Sequence, residues 1–157
     1  KSVFHQRNMA FYKFSVTDLK MIRDIVRDTF FLAQPSVPAQ RRDMPIAEDL
    51  IDTLKANADR CVGLAANMIG ERKCIIAIRV GHAYLAMLNP TVVRHSKEVY
   101  DVSEGCLSLD GERPTRRYKW IEVEYRDLKF KKQKQVFRDF PAEIVQHEMD
   151  HCAGILI

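Results

Sequence analysis

No run of the chain is long and apolar enough to cross a membrane as a helix, which takes about 20 such residues. Cysteine is sparse. Cys61, Cys74, Cys106 and Cys152 are scattered, form no C-x-x-C pair and follow no secretory signal, which fits a reducing compartment and excludes a disulfide framework. There is no internal repeat and no βαβ rhythm. Nor is there a dense basic tract with interleaved aromatics. The formal charge of +4 therefore permits an acidic partner without arguing for one, and no specific nucleic acid is expected. The densest basic stretch, Lys129 to Lys134, reads as a solvated hairpin end.

A chain of 157 residues, 46% hydrophobic and 29% charged, is long enough to bury a core and ordinary for one globular domain. Residues 1–20 are set apart as an N-terminal extension or added segment. Met21-Ile22-Arg23-Asp24 reads like a fresh start, and Met9 is a second candidate. The expected domain is 21–157, in the cytoplasm, or in an organelle if the basic, aromatic first stretch belongs to a targeting peptide.

Along the domain, Gln34 to Arg42 reads as an extended loop with two prolines. Ala47, Leu50, Ile51 and Leu54 recur at helical spacing and predict a helix from about Pro45 to Asn57. Cys61 to Gly70 is a small-residue segment in which backbones can approach closely. Strands are expected at Cys74–Val80, at Ala83–Leu88 closed by Asn89-Pro90, at Val92-Val93, at Val99–Val102, at Ile121–Tyr125 and around Val136-Phe137. Strands in the middle and helices near both ends make the class α+β with mainly antiparallel sheet. Cys74 and Cys152 are expected to pack as small hydrophobes.

The chemistry concentrates at Gln146-His147-Glu148-Met149-Asp150-His151, which contains H-E-x-x-H. On a helix, residues four apart lie one above the other, so His147 and His151 can hold one divalent metal. Glu148, beside the first imidazole, can trade a proton with the water that the metal activates. Pro141 suits the first turn of this helix and Gly154 its end. Catalytic sites commonly use three protein ligands, and the third must lie upstream. In Glu104-Gly105-Cys106-Leu107-Ser108 the glycine relieves crowding, so that Cys106 can present its sulfur. A thiolate is a soft ligand for zinc or ferrous iron.

Three ordered stretches carry a family resemblance. Glu104 to Ser108 matches the E-G-C-L-S motif of peptide deformylases. Gln146 to His151 matches their Q-H-E-x-D-H motif, and Gly63-Leu64-Ala65-Ala66 matches the core of their G-x-G-L-A-A-x-Q segment. The resemblance spans Met21 to Ile157. It implies antiparallel β-sheets around a central helix that carries the two histidines. It implies that Cys106, His147 and His151 hold the metal, with ferrous iron native and zinc, nickel or cobalt as substitutes. It implies that Glu148 is the general acid/base in hydrolysis of the N-formyl group from the initiator methionine of nascent peptides, releasing formate.

The family's oxyanion hole would use the Leu107 N–H and the side-chain amide of the glutamine that ends the first motif. Here that position is Met68, which cannot donate. Cys61 likewise replaces the motif's first glycine, and Asn67 stands where proline is common. Backbone contacts to the peptide are expected to survive at Val62, Gly63 and Gly105. Ile144, Val145, Tyr100 and Leu107 are candidates for the apolar pocket. Two other readings accompany a working deformylase: a deformylase-like, metal-holding binding or regulatory module, and a metalloprotease. The expected partners are N-formylmethionyl peptides. Transient ribosome contact is a family expectation without the C-terminal helix associated with it, since the sequence stops at Ile157.

Overall fold

The computed structural model describes residues 21–157. The extension expected at 1–20 lies outside the described residues. Residues 21–28 run along the surface without regular structure. They are tied down by Arg23, which bonds Asp49 at 2.6 Å, and by the Val26 N–H, which donates to the Met68 carbonyl at 2.8 Å. A one-turn helix α1 (Thr29–Leu32) follows, capped by the Asp28 carboxylate. Helix α2 spans Met44–Ala56 with Pro45 in its first turn, where a missing N–H is harmless. It buries Ala47, Leu50 and Leu54 completely. Truncating either leucine to alanine should destabilise by about 2–5 kcal/mol.

Strands β1 (Gly63–Ala65), β2 (Ile75–Val80), β3 (Ala83–His95), β6 (Trp120–Arg126) and β7 (Lys132–Arg138) form one antiparallel sheet in the order β1-β2-β3-β6-β7. Strands β4 (Val99–Cys106) and β5 (Leu109–Tyr118) form a separate two-stranded hairpin. Helix α3 (Asp139–Cys152) packs against β1, β2, β5 and β7, between the sheet and the hairpin. It begins two residues before Pro141. Its end is followed by Gly154 at φ +76°, where an added Cβ would lie 2.5 Å from the Ala33 carbonyl oxygen.

Three strand expectations needed correction. Asn89-Pro90 does not close a strand. Chain 83–95 continues through it as β3, with a register break between Leu88 and Thr91. Asn89 at φ +53° forms the irregularity, and its side chain bonds the Ala39 N–H and carbonyl at 2.7 and 2.8 Å. A bulge is where a strand tolerates a proline, because no ladder donor is needed there. Strand β4 extends four residues beyond Val102 and ends at Cys106. Strand β5 was not expected at all. Leu109-Asp-Gly-Glu-Arg-Pro-Thr-Arg-Arg-Tyr118 shows no apolar alternation, and it is extended because β4 supplies its backbone partners.

Candidate active site

Helix geometry places His147 and His151 on one face, with Nε2 to Nε2 at 3.2 Å. Cys106 comes from the other side, at the tip of the β4–β5 hairpin. A register break between Gly105 and Cys106 turns the strand there. The Sγ and the two imidazole nitrogens lie within 4.8 Å of one another. This set fits a divalent cation. In a tetrahedral site with bonds of about 2.0–2.1 Å, two nitrogens sit about 3.3 Å apart.

The electrostatics agree. Burial alone would lower His147, but hydrogen bonds to Cys106 and Glu104 outweigh it and raise it to about 10. Burial pushes His151 down to about 3, helped by the charge on its neighbour. A divalent ion between the two facing nitrogens would bind in competition with a proton there.

Behind the histidines lies a buried ionic network that only partly showed in the sequence. His147 Nδ1 is 2.7 Å from Glu104 Oε2. Arg117 donates twice to Glu104, at 2.8 and 2.7 Å, and once to Asp150 at 2.6 Å. With Glu104 accepting at Nδ1, Nε2 is free to ligate, an orienting role typical of the carboxylate behind a ligand histidine. Burial works against ionised Glu104, but Arg117 and His147 outweigh it and hold the carboxyl down at about 2. Glu104 could have been read from its place in the same short motif, two residues before Cys106. Asp150 stands three residues after His147. Arg117 had no signal, because it lies in the strand that the sequence pattern does not show. Gln146 clamps β5 to α3. Its Oε1 accepts from the Tyr118 N–H at 2.9 Å, and its Nε2 donates to the Tyr118 carbonyl at 3.0 Å.

A cavity of about 830 Å³ opens over these groups. Val62, Gly63, Gly105, Cys106, Leu107, His147 and Glu148 all line it, and His151 lies fully buried behind them. Glu148 is 4% exposed, and its Oε2 has no hydrogen-bond partner. Burial pushes its carboxyl up to about 7, which suits a group that must both accept and release a proton. Of the candidates for the apolar wall, Ile144 and Leu107 line the cavity. Val145 is fully buried in the core, and the Tyr100 hydroxyl donates to Glu143 at 2.8 Å. Phe140, 57% exposed, lines the cavity one helical turn before Ile144 and was missed.

Met68 is placed elsewhere. It sits in a 3-10 turn (Ala66–Ile69), and its side chain is 1% exposed within the core, with the sulfur accepting from the Ala65 N–H at 3.5 Å. It does not line the cavity, and no asparagine or glutamine among the described residues does. Asn67 is also buried, and its Nδ2 donates to the His151 carbonyl at 2.9 Å, bracing the end of α3.

Comparison with known proteins agrees with this geometry. A profile of the polypeptide deformylase family matches residues 22–157. A peptide deformylase of Clostridium beijerinckii is 53% identical over 137 residues, which cover 87% of this chain and 100% of that protein. Peptide deformylase 2 of Nostoc is 42% identical over 123 residues, covering 71% of this chain and 67% of that one. Among solved structures, a class I type b peptide deformylase from Acinetobacter baumannii bound to Met-Ala-Ser superposes with a TM-score of 0.79. The identity is 26%, over 87% of this chain and 97% of that chain. The antiparallel α+β fold, the placing of the H-E-x-x-H helix and these likenesses converge: the chain belongs to the peptide deformylase family.

Proposed function

We propose that Cys106, His147 and His151 hold one divalent ion, with Glu148 as general acid/base, and that this site carries the family's reaction. The protein is a metal-dependent hydrolase that removes the formyl group from N-formylmethionyl peptides and releases formate. The observation that supports this site assignment is the convergence of three donor atoms within 4.8 Å beside a buried carboxyl, at the wall of a cavity. When bound, the ion would polarise the formyl oxygen and lower the pKa of a water.

The chain's own groups do the rest. Glu148, held near neutrality by burial, takes a proton from the attacking water at its unpartnered Oε2 and delivers it to the leaving amine. The Leu107 N–H, in the turn after Cys106, is the backbone donor assigned to the developing oxyanion. Among the described residues, strand β1 is an edge strand that pairs only with β2, and Val62 and Gly63 at its start line the cavity. An extended peptide would lie along this edge as an added strand, with Gly105 on the opposite side. Phe140 and Ile144 offer apolar surface to the first side chain.

Two imidazoles and a thiolate suit ferrous iron or zinc, and we assign ferrous iron as the working ion, with nickel or cobalt as substitutes. We assign the reaction to nascent chains in the cytoplasm, with any ribosome contact transient. The test is formate release from formyl-Met-Ala-Ser by iron-loaded protein prepared without oxygen, compared with zinc-loaded protein. Failure of both forms to release formate would overturn the assignment. An iron form still fully active after prolonged aeration would overturn ferrous iron with a reachable thiolate.

A further inference from the structure

The β4–β5 hairpin is tied to α3 along its strands by Arg117, Tyr100 and Tyr118, but its tip is held from a different place. At the tip Cys106 pairs with Leu109 and Gly105 with Glu112, so Asp110 and Gly111 have no partner in the ladder. Backbone pairing alone therefore leaves turn 107–110 loosely placed. Arg27 reaches it from 80 residues away in the sequence. One guanidinium nitrogen donates to the Leu107 carbonyl at 3.2 Å, and another donates to the Asp110 carboxylate. Among the described residues, these are the hydrogen bonds that join 107–110 to anything outside the hairpin. The Arg27 backbone is itself fixed on both sides. The Val26 N–H donates to the Met68 carbonyl at 2.8 Å, and the Asp28 carboxylate caps α1. Arg27 also lines the cavity, together with Leu107 and Asp110.

We propose that Arg27 is a positioning residue for the reaction: its guanidinium clamps turn 107–110 and so aims the Leu107 N–H into the cavity. This role rests on that N–H being the oxyanion donor, as assigned under the proposed function. Leu107 joins two rigid peptide planes. The plane that carries its N–H is held on the Cys106 side by the ladder pair with Leu109, and the plane that carries its carbonyl is held by Arg27. With both planes fixed, the N–H has one direction. The planar fork suits this task because it reaches two acceptors three residues apart at once, whereas a lysine ammonium is a single point charge. The ion pair with Asp110 is exposed, at 58% and 96% for the two side chains, and adds little to stability. Its effect is on where the turn sits. A donor aimed at developing charge acts in the transition state, so loss of the clamp falls on kcat and not on KM.

The test compares parent, Arg27→Met and Arg27→Lys proteins, all zinc-loaded and with metal content measured. Steady-state formate release from formyl-Met-Ala-Ser gives kcat and KM. Hydrogen exchange followed by peptide mass analysis reads the amides of 107–112 without substrate. Both variants should lose about tenfold in kcat, part of the roughly 10²–10³-fold that a whole donor contributes, with KM within about twofold of the parent. Exchange at 107–112 should speed up in both, while the urea midpoint and the metal content stay at the parent values. Full recovery by lysine would overturn the clamp in favour of a simple positive charge beside the cavity. A kcat loss matched by metal loss would place the effect on Cys106 and overturn it too. So would a lower urea midpoint with kcat unchanged. A parent protein that released no formate would overturn the reaction assignment, and the clamp with it, whereas an active parent with unaffected variants would sink the clamp alone.

Discussion

A Cβ added to Gly63 would lie 2.6 Å from Glu148 Oε1 and 2.8 Å from Ile144 Cγ2. The glycine is thus the space in which the buried carboxylate sits. Substituting alanine forces Glu148 or β1 to move, and misplacing a reacting group by about 1 Å can lower the rate about 10²-fold. Gly63→Ala should therefore retain metal but lose about two orders of magnitude in kcat. Formate release at matched metal content measures this, and an unchanged rate would show that the carboxylate has room to adapt.

Glu148→Gln keeps the shape of the side chain and removes its proton transfer. It should bind metal normally and lose about 10²–10⁴-fold in kcat. Activity near that of the parent would remove Glu148 from the reaction.

Cys106→Ser replaces a soft thiolate by a hydroxyl that stays protonated at neutral pH. The metal content, measured by elemental analysis after gel filtration, should fall well below one ion per chain. Full occupancy would mean that the third ligand lies elsewhere.

Arg117→Met leaves Glu104 and Asp150 buried without their common partner. Breaking a buried ion network typically destabilises by about 3–5 kcal/mol. With Glu104 no longer fixed behind His147, metal affinity should also fall about 10–100-fold. Denaturant unfolding and metal competition read the two effects separately. A loss of stability with metal affinity unchanged would confine Arg117 to a structural role.

Met68→Gln tests what position 68 does. Its side chain is in the core and away from the cavity lining. A buried amide without partners typically destabilises by about 1–3 kcal/mol. The expected result is a lower unfolding midpoint with formate release within about threefold of the parent. A gain of tenfold or more would show instead that a donor at this position reaches the oxyanion.

The chain's own sequence determined the metal-bearing helix. The spacing of His147 and His151 is local, and any α-helix converts it into two stacked imidazoles. The strands that alternate or run apolar, such as Ile121–Tyr125 and Cys74–Val80, were legible for the same reason: one buried face leaves a period of two, and two buried faces leave a continuous apolar run. The ordered motifs around Gly63, Cys106 and His147 likewise carried the family resemblance without any tertiary information. Tertiary structure decided everything that depends on partners distant in the chain. Strand β5 is polar and is extended because β4 pairs with it. β3 passes through Asn89-Pro90 because the Asn89 side chain is held by Ala39. Arg117 matters only because folding buries it between Glu104 and Asp150. Met68 lies in the core because a 3-10 turn, not an extended segment, follows Ala65. Each of these rests on burial and hydrogen bonding across the fold, and neither leaves a period in the residues nearby.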